Sequence, residues 1–185
     1  MMRQAWLFGR LVLAGAWGMA GMSALAPAPA APGTGGARVM ETTGGFSYVP
    51  PAGWRVTPFP GLKYRVIYGR PSGGFAPNIN FVDEAANMAL SEYAQASLTQ
   101  MKLHFPGFHF RGQTPFVTAS GLRGVRMVAD DSPTGQKLQQ VFYLLPGRGA
   151  VKFVVTASTL LYFAPSEASV EAVTTNLTAP RPGSK

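Results

Sequence analysis

The stretch Lys137 to Ser158, KLQQVFYLLPGRGAVKFVVTAS, constrains most strongly what this chain can fold into. Two β-rich runs flank Pro146-Gly147-Arg148-Gly149, and such a spacer between apolar runs reads as a hairpin loop. With Leu145 paired to Ala150, Leu144 faces Val151, Phe142 faces Phe153, Gln140 faces Val155 and Leu138 faces Ala157. That register gathers nearly all the large apolar side chains on one face, and a one-residue slip would scatter them. The other face carries Tyr143, Lys152, Val141, Val154, Gln139 and Thr156, so it is half apolar. The hairpin is therefore expected at the centre of a sheet, with one face fully buried and the other partly covered.

The beginning of the chain sets the compartment. Met1 to Arg10 carries Arg3 and Arg10 and no acid, Leu11 to Ala26 is uncharged and mostly apolar, and Ala-Pro alternation follows. This is the plan of a secretory signal peptide. Ala24-Leu25-Ala26 and Ala28-Pro29-Ala30 both fit the small-residue cleavage rule. A proline would follow the first cut, so the second is preferred, with residues 1–30 as signal and the mature chain starting at Ala31. The alternative is a retained anchor, but the Gly/Ala-rich apolar run falls short of the ~20 residues that cross a bilayer. With no cysteine, the chain has neither disulfides nor a site for a bacterial lipoprotein anchor. The formal charge is +8; losing Arg3 and Arg10 leaves 14 basic against 8 acidic residues. Such an excess favours anionic partners. Export turns that preference away from nucleic acid and toward envelope surfaces.

Residues 31–43 read as a Pro/Gly-rich linker, 44–180 as one domain and 181–185 as a tail. Phe46 to Val49 alternates as a short strand ending at Pro50-Pro51. Leu62 to Tyr68 alternates clearly, with Tyr64, Val66 and Tyr68 on one face and Lys63, Arg65 and Ile67 on the other. Asn78 to Asp83 is a further strand with Ile79 and Phe81 inward. From residue 88 to 105 the period changes to about 3.6, with Leu90, Ala94, Leu98, Met101 and Phe105 on one side of an amphipathic helix. Ser91 is its expected N-cap, Glu92 favours its dipole, and Pro106-Gly107 ends it. Phe108–Phe110 and Pro115–Thr118 read as strand pieces broken at Gly112, and Leu122 to Ala129 as another strand. Ser166 with Val170, Val173 and Leu177 predicts a closing helix. The order predicts an α+β fold: an antiparallel β-sheet with helices packed on its faces.

Several of these segments resemble the PsbP-like family. FSYVPPAGW (Phe46 to Trp54) is similar to its opening strand and proline-glycine turn. NINFVDEA (Asn78 to Ala85) before SEYAQASL resembles its central part, and GLRGVRMV (Gly121 to Val128) with the hairpin resembles its C-terminal meander. The resemblance spans roughly Gly44 to Leu177 and implies an α/β/α sandwich. The family includes a photosystem II extrinsic subunit, a nuclear Ran-binding protein and bacterial envelope proteins of the DcrB type. These functions differ, and the fold serves mainly as a binding platform, so the resemblance carries over no site residues.

Chemistry-bearing patterns are sparse. His104 and His109 have no carboxylate at ligand spacing, so no metal is expected. Asp83-Glu84 and Asp130-Asp131 are adjacent pairs that point to opposite faces of a strand, and they read as solvated acids where turns begin. No serine lies in G-x-S-x-G, and neither phosphate-loop pattern is present. Two features stand out. Arg55, Lys63, Arg65 and Arg70 form a basic run with no acid between them, and Lys63 and Arg65 share a strand face. Leu160-Leu161-Tyr162-Phe163 is a dense apolar patch. The expectation is an exported, non-enzymatic binding or assembly module of a bacterial envelope. It needs no cofactor and uses the basic run to meet an envelope protein or an anionic surface. A small hydrolase or lyase with a scattered site, or a periplasmic small-solute binder, is the alternative.

Overall fold

The computed structural model describes residues 36–105, 107–132, 135–148, 150–160, 173, 177 and 178. The expected signal peptide, most of the expected closing helix, the Leu161-Tyr162-Phe163 part of the apolar patch and the expected tail lie outside them. Among the described residues the elements are β1 (Val39–Glu41), β2 (Phe46–Tyr48), β3 (Arg55–Thr57), β4 (Val66–Tyr68), β5 (Asn78–Ala85), α1 (Leu90–His104), β6 (His109–Val117), β7 (Arg123–Asp131), β8 (Leu138–Pro146) and β9 (Val151–Leu160).

Seven strands form one antiparallel sheet in the order β3-β4-β5-β9-β8-β7-β6, while β1 and β2 form a separate ribbon. The pairing of Val39–Glu41 with β2 brings three residues of the expected linker into ordered structure. The sheet order follows from one long excursion. After β5 the chain leaves the sheet as α1 and re-enters at the far edge as β6. The β6–β9 meander then walks back until β9 pairs with β5 over eight residues, Asn78–Ala85. Crossing from β5 to the far edge lays α1 over β7 and β8, where its buried Tyr93, Ala94, Leu98 and Met101 meet Met127, Ala129, Phe142 and Leu144. The opposite face is covered by the ribbon, through Phe46 and Tyr48, and by Val173 and Leu177.

The central hairpin lies where it was expected, but in another register. Leu145 pairs with Phe153, Leu144 with Val154, Phe142 with Thr156 and Leu138 with Leu160. The turn closes three positions away from the sequence-based pairing because Pro146 stays in the strand. Gly147 N–H donates to Val151 O (2.8 Å) and Val151 N–H to Arg148 O (3.2 Å). Pro146 then faces Lys152 next to this pair, at a non-hydrogen-bonded position where a missing N–H breaks no ladder bond. An odd displacement exchanges faces. Phe142 and Phe153 are therefore not neighbours, and neither face is left partly covered: Val141, Tyr143 and Leu145 are buried on the ribbon side, Phe142 and Leu144 on the helix side.

Three further boundaries differ. The helix starts two residues earlier than a Ser91 cap requires, with Ala89 as N-cap; the Glu92 carboxylate accepts the Ala89 N–H (3.2 Å), half of a capping box. The two expected strand pieces before and after Gly112 are one strand, β6, interrupted by a bulge between Phe110 and Gly112. The expected strand Leu62–Tyr68 is a strand only from Val66, so Lys63 and Arg65 stand in the preceding loop.

Candidate functional site

The four residues of the basic run do not share one surface. Arg55 opens β3 opposite Tyr68 and is exposed, and Arg70 follows two residues after Tyr68, also exposed. Their positions depend on Trp54 and Gly69. The Trp54 ring lies so close to Gly69 that a Cβ there would meet it at 3.0 Å, and Gly69 N–H donates to Pro77 O (2.7 Å). This packing holds the β3–β4 edge and its two arginines against the start of β5. Burial raises the Tyr68 phenol, and the positive charge of Arg55 opposes that shift.

Lys63 and Arg65 are instead tied to acids far away in sequence. Lys63 Nζ contacts Asp83 Oδ2 at 2.6 Å, and this hydrogen bond holds the lysine above its ordinary range. Arg65 Nε donates to Glu41 Oε1 (2.9 Å), which also accepts from Tyr48 OH (3.0 Å), and Arg65 reaches Met40 O (2.7 Å). Burial first, and the Glu41 charge second, push the Tyr48 phenol strongly up. The group clips the β1–β2 ribbon to the loop before β4. Its geometry serves the fold.

The expected acids are equally occupied. Asp83 and Glu84 do point apart, Asp83 to Lys63 and Glu84 to Tyr93 OH (2.6 Å), but both lie within β5 and neither is a free loop acid. Asp130 pairs with Arg111, while Asp131 is buried, accepts from Ser132 N–H (2.7 Å) and has its carboxyl pKa raised by burial. His104 contacts Gln100 (3.1 Å) at the end of α1, and His109 is exposed on β6. Among the described residues no three potential ligands come together for a metal ion.

A pattern emerges that no local reading contained. Of the 8 acids, Glu167 and Glu171 lie outside the described residues. Each of the others, Glu41, Asp83, Glu84, Glu92, Asp130 and Asp131, is engaged within the chain. By contrast Arg55, Arg70, Arg123, Lys137 and Arg148 are exposed, and among the described residues no carboxylate reaches them. Lys137 was absent from the sequence-based surface. It belongs near Arg70 because Gln136 Nε2 donates to Gly73 O (2.9 Å), joining two turns 63 residues apart at one end of the sheet. Arg55, Arg70 and Lys137 thus flank that end as a positive rim.

No protein-family model and no curated protein matches the sequence. Solved structures do match. LpqN of Mycobacterium tuberculosis, involved in cell envelope biogenesis, shares 17% identity over 77% of this chain and 90% of its own, with a TM-score of 0.58. PA94 of Pseudomonas aeruginosa, a protein of unknown function, shares 14% identity over 81% of this chain and 99% of its own, with a TM-score of 0.53. The PsbP protein of the cyanobacterium Synechocystis sp. PCC 6803 shares 8% identity over 84% of this chain and 99% of its own, with a TM-score of 0.56. At such identities the likeness is one of fold, and function does not travel with it. The resemblance read from the core and turn residues is thereby matched in three dimensions: this chain has the PsbP-like fold.

Proposed function

We propose that the chain is an exported, non-enzymatic binding or assembly module of the bacterial cell envelope. In this reading residues 1–30 are removed as a signal peptide and the domain works in the periplasm or outside the cell. A closing helix over the residues around Val173 and Leu177 would complete an α/β/α sandwich. The observation that carries the reading is the one-sided charge: every described acid is hydrogen-bonded within the chain, whereas Arg55, Arg70, Arg123, Lys137 and Arg148 are exposed with no carboxylate partner among the described residues. A surface of this kind attracts anionic partners and steers their approach. Arg55 and Arg70, with Lys137, form its proposed centre. Lys63 and Arg65 belong to the same binding run but contribute less, because Asp83 and Glu41 already neutralise them. One fold neighbour, LpqN, is involved in cell envelope biogenesis, which supports the compartment.

The test is equilibrium binding to vesicles of phosphatidylglycerol, or to an acidic envelope protein, as salt is raised. Screening shortens from ~10 Å at 0.1 M to ~3 Å at 1 M, so binding through this rim should weaken steeply. Arg55→Ser with Arg70→Ser should weaken it further at low salt. Binding that ignores both salt and these substitutions would remove the proposed surface.

A further inference from the structure

The segment from Lys102 to Arg111 brings apolar and basic side chains together at the surface, with Leu103 exposed and Phe105, Phe108 and Phe110 partly buried against the helix-side core. Leu103 is 71% exposed in the last turn of α1, between the exposed Lys102 and His104. Phe105 caps the helix through its N–H to Met101 O (3.0 Å), and Phe108 N–H returns to Phe105 O (3.2 Å), with Gly107 at φ 82. That turn sets the Phe105 and Phe108 rings side by side, centroids 6.1 Å apart, both only partly buried. The Lys102 ammonium stands over Phe110 at 5.8 Å from the ring centroid. His109 is exposed at the start of β6, and no acid lies between Met101 and Arg111. The nearest carboxylate in the sheet register is Asp130, opposite His109, and Arg111 engages it. The other large exposed apolar residues among those described, Met40 and Val117, each have a single basic neighbour, Arg65 at Met40 O and Arg123 opposite Val117.

Apolar and aromatic side chains ringed by lysine and histidine fit the boundary between headgroups and acyl chains, where rings and leucine enter and cations stay with anionic headgroups. We propose that the α1–β6 turn is a membrane-docking surface that seats Leu103, Phe105 and Phe108 in an anionic bilayer, with Lys102, His104 and His109 at the headgroups. The proposal rests on the envelope reading above and narrows its anionic partner to a lipid surface.

The absence of cysteine makes the test site-specific. Leu103→Cys and Ser72→Cys, each expressed as the full chain and recovered as the cell releases it, provide single sites for an environment-sensitive fluorophore. Ser72 is exposed beside Arg70, so it reports on the basic rim. With phosphatidylglycerol vesicles the label at 103 should shift to the blue and brighten severalfold, while the label at 72 stays water-like. Phosphatidylcholine vesicles should leave both unchanged. Leu103→Ser should weaken binding about tenfold, the loss expected for one leucine withdrawn from an apolar phase, with the melting temperature unchanged. A water-like label at 103 on protein that co-sediments with the vesicles would overturn the docking turn and leave the basic-rim reading standing. Failure of the wild type to bind at all would remove both. A blue shift that needs no vesicles and grows with protein concentration would assign the turn to a second copy, and would also overturn the proposal.

Discussion

At its central strands the sheet is buried on both faces, but by different chemistry. On the ribbon side the cover is aromatic. Tyr48 stacks on Phe81 with centroids 4.6 Å apart, Phe46 meets Tyr64 edge-on at 4.9 Å, and Phe116 meets Tyr143 at 4.7 Å. On the helix side, α1 covers Phe142, Leu144 and Val154, yet the same face turns polar toward the start of β5. There Asn78, Asn80, Gln140, Thr156 and Ser158 are all buried, on adjacent strands β5, β9 and β8. Asn80 donates to Asn78 (3.0 Å) and Ser158 to Gln140 (2.8 Å), while Asn80 Oδ1 and Thr156 Oγ1 have no partner among the described residues. Equal burial therefore does not mean equal stabilisation. Apolar contact stabilises in proportion to area, whereas a buried polar atom contributes only when its hydrogen bond is made.

The sharpest way to break this comparison uses neighbours in one strand. Phe142 and Tyr143 are consecutive, on opposite faces, and both buried. Either change to alanine should cost about 3–5 kcal/mol in denaturant unfolding, against under about 0.5 kcal/mol for Gln139→Ala. A cheap substitution at either aromatic would mean that one face is open after all. The polar patch should respond in the other direction. Thr156→Val removes a buried hydroxyl that has no partner among the described residues, and should leave stability unchanged or raise it by up to about 1 kcal/mol. A clear loss would show that the hydroxyl is bonded in solution.

Asp131 gives a smaller, pH-dependent effect. Burial raises its folded-state carboxyl above the ordinary value, so the native state holds its proton more tightly than the unfolded chain. Wild-type stability should then fall as pH rises from about 4, the ordinary carboxylate value, through the raised folded-state value. Asp131→Asn should lack that contribution, so the difference in melting temperature between the two should grow in the variant's favour over that window. A variant that is less stable at neutral pH would put the sign of this account in doubt.

Period and turn chemistry made most of the elements readable in the sequence. The apolar spacing of Leu90, Ala94, Leu98 and Met101 marked α1, and the alternation through Ile79 and Phe81 marked β5. What failed was whatever depended on partners remote in sequence. The hairpin register turned on Pro146 remaining in the strand, and residues on both sides of the loop are apolar enough to tolerate either reading. The strand before Val66 failed similarly: Lys63 and Arg65 alternate locally, but their partners Asp83 and Glu41 stand 20 and 24 residues away. The polar patch and Lys137's place in the rim were likewise invisible, since strands and turns bring them together only in three dimensions.

The central claim is that charge left unmatched by the fold, and not basic residues as such, makes the binding surface. Two double variants compared on phosphatidylglycerol vesicles at low salt test it most directly. Each unmatched cation near an anionic surface is worth ~1 kcal/mol, so Arg55→Ser with Arg70→Ser should weaken binding about 30-fold. Lys63→Ser with Arg65→Ser should weaken it much less, because those cations already face Asp83 and Glu41. Equal losses from the two pairs, or the reverse order, would contradict the account.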